Sequence, residues 1–249
     1  MKRLTSCLVL LLVWQGLAYS ATKVFLKDVS SAVRPLADGW SAKTMNTTQG
    51  SSKSGYYHNS IAGPITGQYY PGSGVFKPSG GNYLIFVSAP VSANVTISGT
   101  VTPNFWGYES NNACNCGLRY EVLRWSVAQG GIVSSLGIST DDGLTEWGTS
   151  AAVRTAPAIT SPTSTNFAIG DRIILVVYND DGNGVTQAAA RWWYLDINGA
   201  ASSDGDSYLS FTETITFSAD SNNGRAIPMI SLLRPLLYWW KQYFDKVLS

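Results

Sequence analysis

Charged side chains are scarce in this sequence: Asp, Glu, Lys and Arg make up 13% of its 249 residues, about half the ~25% that is usual in soluble domains. Lys and Arg number 17 against 16 Asp and Glu, so the formal charge is +1. The sequence therefore lacks the basic surplus of a nucleic-acid-binding protein. With 45% hydrophobic residues, it is also too apolar for a disordered chain. Nucleic acid is not an expected partner.

Histidine and cysteine are too few for most metal or nucleophilic chemistry. The only histidine is His58, and the three cysteines are Cys7, Cys114 and Cys116. Because a structural zinc ion needs about four Cys or His ligands, we expect no zinc site. The chain has no Gly-x-Ser-x-Gly motif, so a hydrolase with a Ser-His-Asp triad is not expected either. We predict no metal, no cofactor and no catalytic residue of these classes.

Cys114 and Cys116 allow three interpretations. Residues two apart on an extended strand are about 6.5 Å from each other, near the upper limit of Cα separation for a disulfide. They are therefore buried thiols, a local disulfide that needs a bend in the chain, or cysteines with an intermolecular or redox role.

The N-terminal residues 1–20 have the pattern of a secretory signal peptide. Lys2 and Arg3 precede the apolar run from Leu8 to Trp14, and small residues at 18 and 20 stand before the expected cleavage point. The apolar run is shorter than the ~20 residues needed to span a bilayer. We therefore expect a secreted protein, located extracellularly, in the periplasm or at the cell surface.

Residues 21–218 have the pattern of a single all-β domain. Val95, Ile97 and Val101 alternate with polar residues, which is typical of a half-buried antiparallel strand. No helical periodicity separates the strands, so we expect an antiparallel, jelly-roll-like β-sandwich. The stretch from about 30 to 81 is rich in turn residues and predicts short strands and long loops. The predicted regular strands are 23–28, 83–88, 94–101, 117–125, 171–178, 191–197 and 210–217.

Several short segments of this domain resemble a family of uncharacterised β-sandwich proteins found in bacterial and phage-derived metagenomic sequences. The similar segments are 45–50, 95–100, 106–111, 118–125, 170–174 and 204–213. The resemblance implies a jelly-roll domain used for surface attachment or assembly. The signal peptide and the residues after 217 depart from the phage-type members, which favours an exported cellular protein.

Aromatic residues supply the candidate ligand surface. In the segment 191–197, Trp193, Leu195 and Ile197 alternate with Trp192, Tyr194 and Asp196. If the first three fill the core, the others are exposed, and flat rings beside a polar acceptor suit stacking on sugar faces. Trp106 and Tyr108 repeat this spacing. The alternative is that loops from 30–81 cover this face.

Glu213 is the strongest candidate for catalysis. It shares a strand face with Phe211, Ile215 and Phe217, and a β-sandwich glycosidase would use it with a second carboxylate. The alternative is a structural carboxylate that accepts hydrogen bonds from a neighbouring strand or pairs with an arginine.

Two glycine-rich loops carry oxygen ligands of the kind that calcium takes. They contain Asp180 and Asp181 in one case and Asp204 and Asp206 in the other. The same residues are typical of tight turns, so each loop is either an ordinary turn or a cation site.

The C-terminal tail differs in character from the domain. Residues 219–234 read as a linker, and 235–248 as an amphipathic helix of about 14 residues, roughly 21 Å long. The tail packs within the chain, on a partner or second copy, or on a membrane surface. Its candidate contact residues are Leu236, Trp239, Trp240, Tyr243 and Phe244.

These observations predict an exported, non-catalytic surface protein for adhesion, glycan binding or extracellular assembly. A glycan or cell-surface polymer is the expected partner, and self-association through the tail is a further one. The alternatives are a carbohydrate-active hydrolase that uses Glu213 and a subunit of an extracellular or virion-like polymer.

Overall fold

A computed structural model of the chain describes residues 21–33, 42–59, 68–69, 76–77, 83–109, 118–140, 147–154, 156–179 and 192–219. The chain divides into two compact units, Met1–Ser218 and Ala219–Ser249, and all described residues except Ala219 belong to the first. The predicted signal peptide (1–20), linker (219–234, apart from Ala219) and C-terminal helix (235–248) lie outside the described residues. The same holds for Cys114, Cys116, Asp180 and Asp181.

The described part of the chain consists of strands, turns and loops and contains no helix, which confirms the all-β prediction. None of its segments is a helix of the length and hydrophobicity needed to cross a membrane. The strands are β1 (Thr22–Ser30), β2 (Lys43–Asn46), β3 (Ser54–Asn59), β4 (Gln68–Tyr69), β5 (Phe76–Lys77), β6 (Tyr83–Ser88), β7 (Val95–Ile97), β8 (Val101–Glu109), β9 (Leu118–Ser126), β10 (Gly131–Ile138), β11 (Ala152–Arg154), β12 (Thr165–Phe167), β13 (Arg172–Asn179), β14 (Trp192–Ile197) and β15 (Tyr208–Phe211).

Hydrogen bonds join most of these strands in the order β10-β9-β13-β6-β2-β1-β15-β8-β14-β3, with β11 paired to β8. β7 and β12 form a separate pair, as do β4 and β5. The expectation of purely antiparallel sheets is wrong at one place, because β2 runs parallel to β6. The long connection between them, residues 47–82, is what permits a parallel pair, since parallel neighbours need a crossover.

The strands β6, β13 and β9 are buried on both faces. Leu175 and Val177 belong to one hydrophobic cluster, whereas Ile174 and Val176 belong to a second cluster on the opposite face. All six residues of β6 are buried. Continuous apolar runs are typical of strands that are covered on both sides, which explains the unbroken apolar sequences of β6 and β13, whereas β9 also carries Arg119, Glu121 and Arg124.

β8 packs against β9 across the larger cluster. The rings of Phe105 and Tyr120 meet edge to face, with centroids 5.6 Å apart, although β13, β6, β2, β1 and β15 all lie between the two strands in the order. The Tyr120 hydroxyl lies 3.1 Å from the Pro157 carbonyl and 3.2 Å from the Val101 carbonyl, to which it can donate. It also accepts from the Ile159 amide at 3.3 Å.

Period-two alternation holds along β7 and β8, but the single predicted strand 94–101 is wrong, because the chain leaves the extended conformation after Ile97 and β8 begins at Val101. Ile97, Val101 and Phe105 are fully buried, whereas Thr96 and Thr102 are exposed. β8 therefore presents Trp106 and Tyr108, both half-buried, on the face turned away from the core. The predicted strand 210–217 is shorter than expected, because β15 ends at Phe211.

We expect Tyr120→Phe to lower the free energy of unfolding by about 1–2 kcal/mol, because the buried partners of the hydroxyl lose a hydrogen bond. Burial also raises the pKa of Tyr120, so the hydroxyl stays protonated across the usual pH range. Denaturant unfolding followed by near-UV circular dichroism measures the loss.

The matched control is Tyr208→Phe, because the hydroxyl of Tyr208 accepts a hydrogen bond from the exposed Lys23 Nζ, at 3.3 Å, and not from buried backbone. This variant should change stability by less than about 0.5 kcal/mol. Equal losses in the two variants would contradict the assigned role of Tyr120.

Candidate functional site

Four of the five predicted ligand residues lie together on one face of the sheet. β14 is hydrogen-bonded to β8, and the register pairs Tyr194 with Tyr108 and Asp196 with Trp106. Residues directly opposite each other on adjacent strands share a face. We call these four residues the aromatic face. Trp192 lies in β14 on the same alternation, but its side chain is outside the described residues.

The rings of Tyr108 and Tyr194 form a parallel stack. Their centroids are 4.6 Å apart and their planes differ by 5°. Both side chains are half-buried, as is Trp106, so each tyrosine covers one face of the other and leaves part of its surface accessible. The stack makes a rigid apolar platform, because two packed rings lose little further freedom when a ligand binds.

Asp196 is buried, contrary to the exposed position expected from the strand pattern: its relative exposure is 1%. Its Oδ2 atom has no hydrogen-bond partner among the described residues, and Lys53 Nζ lies 3.7 Å away, at ion-pair distance. Burial raises the pKa of Asp196 and the charge of Lys53 opposes this effect only in part. The site therefore holds a desolvated carboxylate with an unused acceptor.

Lys53 covers this carboxylate and bridges it to a second one. Its Nζ atom also lies 3.3 Å from Asp204 Oδ2, and 46% of its side chain is exposed. Burial lowers the pKa of Lys53, but the nearby charges of Asp196 and Asp204 outweigh this and raise it. The lysine stem rests on Gly205, which has φ +83° and where an added Cβ would lie 3.0 Å from Lys53 Cγ.

Gly55 leaves open the position across from Asp196. β3 pairs with β14 in the register that opposes Gly55 to Asp196. A Cβ at this glycine would lie 3.7 Å from Asp196 Oδ1, 3.7 Å from Tyr194 Cδ1 and 3.9 Å from the Tyr108 hydroxyl. The carboxylate and both rings therefore converge on the space above Gly55. Burial, followed by the charge of Asp196, raises the pKa of Tyr108.

Sequence reasoning missed Lys53 and Gly55. Both come from the segment 51–55, which the sequence marks only as a turn-rich stretch, and they reach the site through the pairing of β3 with β14. That pairing joins residues about 140 positions apart, so no local signal identifies them.

The loop with Asp204 and Asp206 is held by contacts typical of a turn. Asp206 Oδ1 accepts from Gln49 Nε2 at 2.7 Å and its Oδ2 accepts from the Ser202 amide at 3.3 Å. Asn104 Nδ2 donates to the Asp206 carbonyl at 2.7 Å. Within the described residues there is no cluster of three or more Asp, Glu, His or Cys side chains able to hold a metal ion.

Glu213 lies two residues beyond the end of β15 and is half-buried. Its Oε1 atom accepts hydrogen bonds from the backbone amides of Ser98 at 2.7 Å and Gly99 at 2.5 Å. Thr212 Oγ1 donates to its Oε2 at 3.2 Å. The carboxylate therefore braces the turn after β7, which is the structural alternative considered above.

A separate cavity of about 420 Å³ lies beside β7 and β12, away from the aromatic face. Arg124 is its charged lining residue, and the buried Asp171 binds this guanidinium at 2.7 Å. Asp171 also accepts from the Val127 and Ala168 amides. The ion pair fixes the loop that carries these amides. Asp171 neutralises the charge of Arg124, so the cavity does not present an unpaired guanidinium. The cavity is lined by Asn94, Val95, Thr96, Arg124, Asn166, Phe167 and Ala168.

No family model matches the sequence, and no curated protein matches it. Solved structures give only distant similarity. An aminopeptidase from the marine sediment archaeon Thaumarchaeota archaeon is 10% identical with a TM-score of 0.45, and the match covers 75% of this chain and 36% of that one. An α-amino acid ester hydrolase is 12% identical with a TM-score of 0.38, covering 77% and 36%.

A structure of infectious bursal disease virus, Gx strain, is 11% identical with a TM-score of 0.20, and the match covers 75% of this chain and 41% of that one. The chain thus spans about a third of the length of the two hydrolases. Similarity at these TM-scores defines neither the fold nor the function of this chain.

We expect Asp196→Asn to raise the free energy of unfolding by about 1 kcal/mol near neutral pH, because it removes a desolvated charge. The pKa of Asp196 is higher in the folded than in the unfolded state. Its ionisation therefore lowers stability as the pH rises from the unfolded pKa, about 4, through the raised folded value. The stability of the variant should not show this loss between the two pKa values when its free energy of unfolding is measured from pH 3 to 8.

Asp204→Asn is the control, because it removes the half-exposed carboxylate from the same lysine and should change stability by less than about 0.5 kcal/mol. If the free energy of unfolding depends on pH in the same way in wild type and in Asp196→Asn, then burial of the Asp196 carboxylate does not destabilise the fold.

Glu213→Ala should lower the free energy of unfolding by about 2 kcal/mol, because two backbone amides lose a charged acceptor. Thermal unfolding measures this change. The neighbouring exposed Thr214→Ala serves as the control and should have little effect. An unchanged stability of Glu213→Ala would contradict the bracing role.

Proposed function

We propose that this chain is an exported, non-catalytic surface protein that binds saccharides at the aromatic face. The observation that carries the proposal is that the Tyr108–Tyr194 stack and the buried Asp196 carboxylate share one face, with Tyr194 and Asp196 two residues apart on β14. A binding site that combines an apolar platform with a small number of fixed polar groups is typical of ligand recognition.

The chemistry of sugars fits this combination. A pyranose ring has one face of C–H groups, which packs on an aromatic ring, and hydroxyls around its edge, which donate to a carboxylate. Tyr108 and Tyr194 provide the first contact and the unused Asp196 Oδ2 provides the acceptor. A buried acceptor that lacks a hydrogen bond costs stability, and a ligand hydroxyl would remove this cost.

The arrangement of the strands in two layers is part of the same proposal. We infer that the strands form a β-sandwich, with β8, β14 and β15 in one layer and β6, β9 and β13 in the other. The contact of Phe105 with Tyr120 supports two layers that face each other across a common core. The aromatic face would then lie on the outer surface of the first layer.

Export and surface location rest on the predicted signal peptide, 1–20. Adhesion would follow from binding a glycan on another surface, and self-association or membrane contact through 235–248 stays a prediction from the sequence. A hydrolase that uses Glu213 has less support than saccharide binding, because the described contacts of this carboxylate are those of a turn brace.

The test is a glycan array probed with the chain lacking residues 1–20, followed by calorimetric titration of the saccharides that bind. Tyr194→Ala should weaken binding at least about tenfold, which corresponds to the loss of about 1.4 kcal/mol, because it removes one ring of the stack. Trp106→Ala should also weaken binding, since it removes the aromatic neighbour of Asp196.

Tyr208→Ala is the matched control, because this half-buried tyrosine meets Phe25 edge to face and is not one of the four residues of the aromatic face. Its affinity should equal that of the wild type. Failure to bind any saccharide, or equal affinity of wild type and Tyr194→Ala, would overturn the proposed function.

A further inference from the structure

We propose that the saccharide bound at the aromatic face carries a free amine, and that its ammonium group takes the position that Lys53 Nζ now occupies between Asp196 and Asp204. This inference rests on the proposed function and goes further, because it names the ligand class as amino sugars with an unacetylated amine. It follows from the charges of Asp196, Asp204 and Lys53, the contacts of Lys53 and the surroundings of Asp196.

The first argument is charge. Two carboxylates, Asp196 and Asp204, face a single ammonium group, that of Lys53. These three groups carry a net charge of −1 when all are ionised, and one of the carboxylates is desolvated. A ligand with its own carboxylate would be repelled, whereas a ligand ammonium would be attracted. Uronic acids and other acidic sugars are therefore disfavoured.

The second argument is that Lys53 is held loosely. Its distance to Asp196 Oδ2, 3.7 Å, is too long for a hydrogen bond, and its contact with Asp204 Oδ2 is 3.3 Å. With 46% of its side chain exposed, Lys53 gains little from holding a single conformation. A ligand ammonium can therefore displace it and give Asp196 Oδ2 the hydrogen bond it lacks.

The third argument is the surroundings of the carboxylate. Asp196 Oδ1, Tyr194 Cδ1 and the Tyr108 hydroxyl all lie within 3.9 Å of the point where a Gly55 side chain would begin. An ammonium group near this point meets the Asp196 carboxylate and the Tyr108 hydroxyl oxygen, both of which can accept a hydrogen bond from it. The absence of a side chain at Gly55 leaves this point accessible from the β3 side of the sheet.

The test compares three hexasaccharides by calorimetric titration of the chain lacking residues 1–20. They are the glucosamine hexamer, the N-acetylglucosamine hexamer and the galacturonic acid hexamer, each at pH 6, where a large share of the free amines is protonated. The first two share a backbone and differ in the amine alone. We expect the glucosamine hexamer to bind at least about tenfold more tightly than the N-acetylated one, and the acidic hexamer to bind most weakly.

Two variants locate the effect. Asp196→Asn should bind the glucosamine and N-acetylglucosamine hexamers with equal affinity, because the remaining Asp204 is then neutralised by Lys53, so no net charge selects the amine, and both rings are kept. Lys53→Met keeps the stem over Gly205 and removes the competing ammonium, so it should bind the glucosamine hexamer more tightly than wild type. Lys23→Met, an exposed lysine beside Tyr208, is the control and should match wild type.

The outcomes separate this inference from the proposed function. If the N-acetylated or the acidic hexamer binds as tightly as the glucosamine hexamer, saccharide binding stands and the amine preference is overturned. A preference that survives in Asp196→Asn also overturns it. If none of the hexamers binds and the glycan array is empty as well, both proposals fail. Circular dichroism of each variant verifies that the compared proteins are folded.

Discussion

The contact between Phe105 and Tyr120 is the constraint on which the described structure depends. It brings β8 against β9, two strands that are far apart in the hydrogen-bonded order. The Tyr120 hydroxyl also forms hydrogen bonds with backbone groups of Val101, Pro157 and Ile159. Because side chains alternate along a strand, fixing Phe105 inward fixes Trp106 and Tyr108 on the other face. The core thereby determines where the aromatic face lies.

The aromatic face combines a rigid pair of stacked rings with a carboxylate that is destabilised by burial. The stacked tyrosines are held by their own packing and by the pairing of β8 with β14. Asp196, in contrast, is an ionisable group in a dry position with an unsatisfied oxygen, and a fold selected for stability alone would replace it. Strain of this kind is common at sites that interact with a ligand, because the ligand relieves it.

Much of the fold and part of the site could be predicted from the sequence. Alternation identified the inward residues Ile97, Val101, Leu195 and Ile197, and the same alternation placed Tyr194 and Tyr108 outward. Alternation describes one strand at a time, so it does not reveal that β2 runs parallel to β6, nor that Tyr194 stands opposite Tyr108. It also assigns Asp196 to the outer face without showing that Lys53, from a distant segment, covers it. The information that was missing is in the pairing of remote strands.

The first and last strands of the described unit are neighbours, because β1 pairs with β15 through Thr22 and Phe211. Both strands lie in the interior of the sheet and not at its edge. A growing chain can therefore pair its first strand with β2 early, but the other edge of that strand stays unpaired until nearly the whole unit has been synthesised. Closing so long a loop costs entropy before any contact repays it. Such a topology delays completion of the sheet until late in synthesis, so the strand order makes the last strand, β15, the one that closes the interior of the sheet.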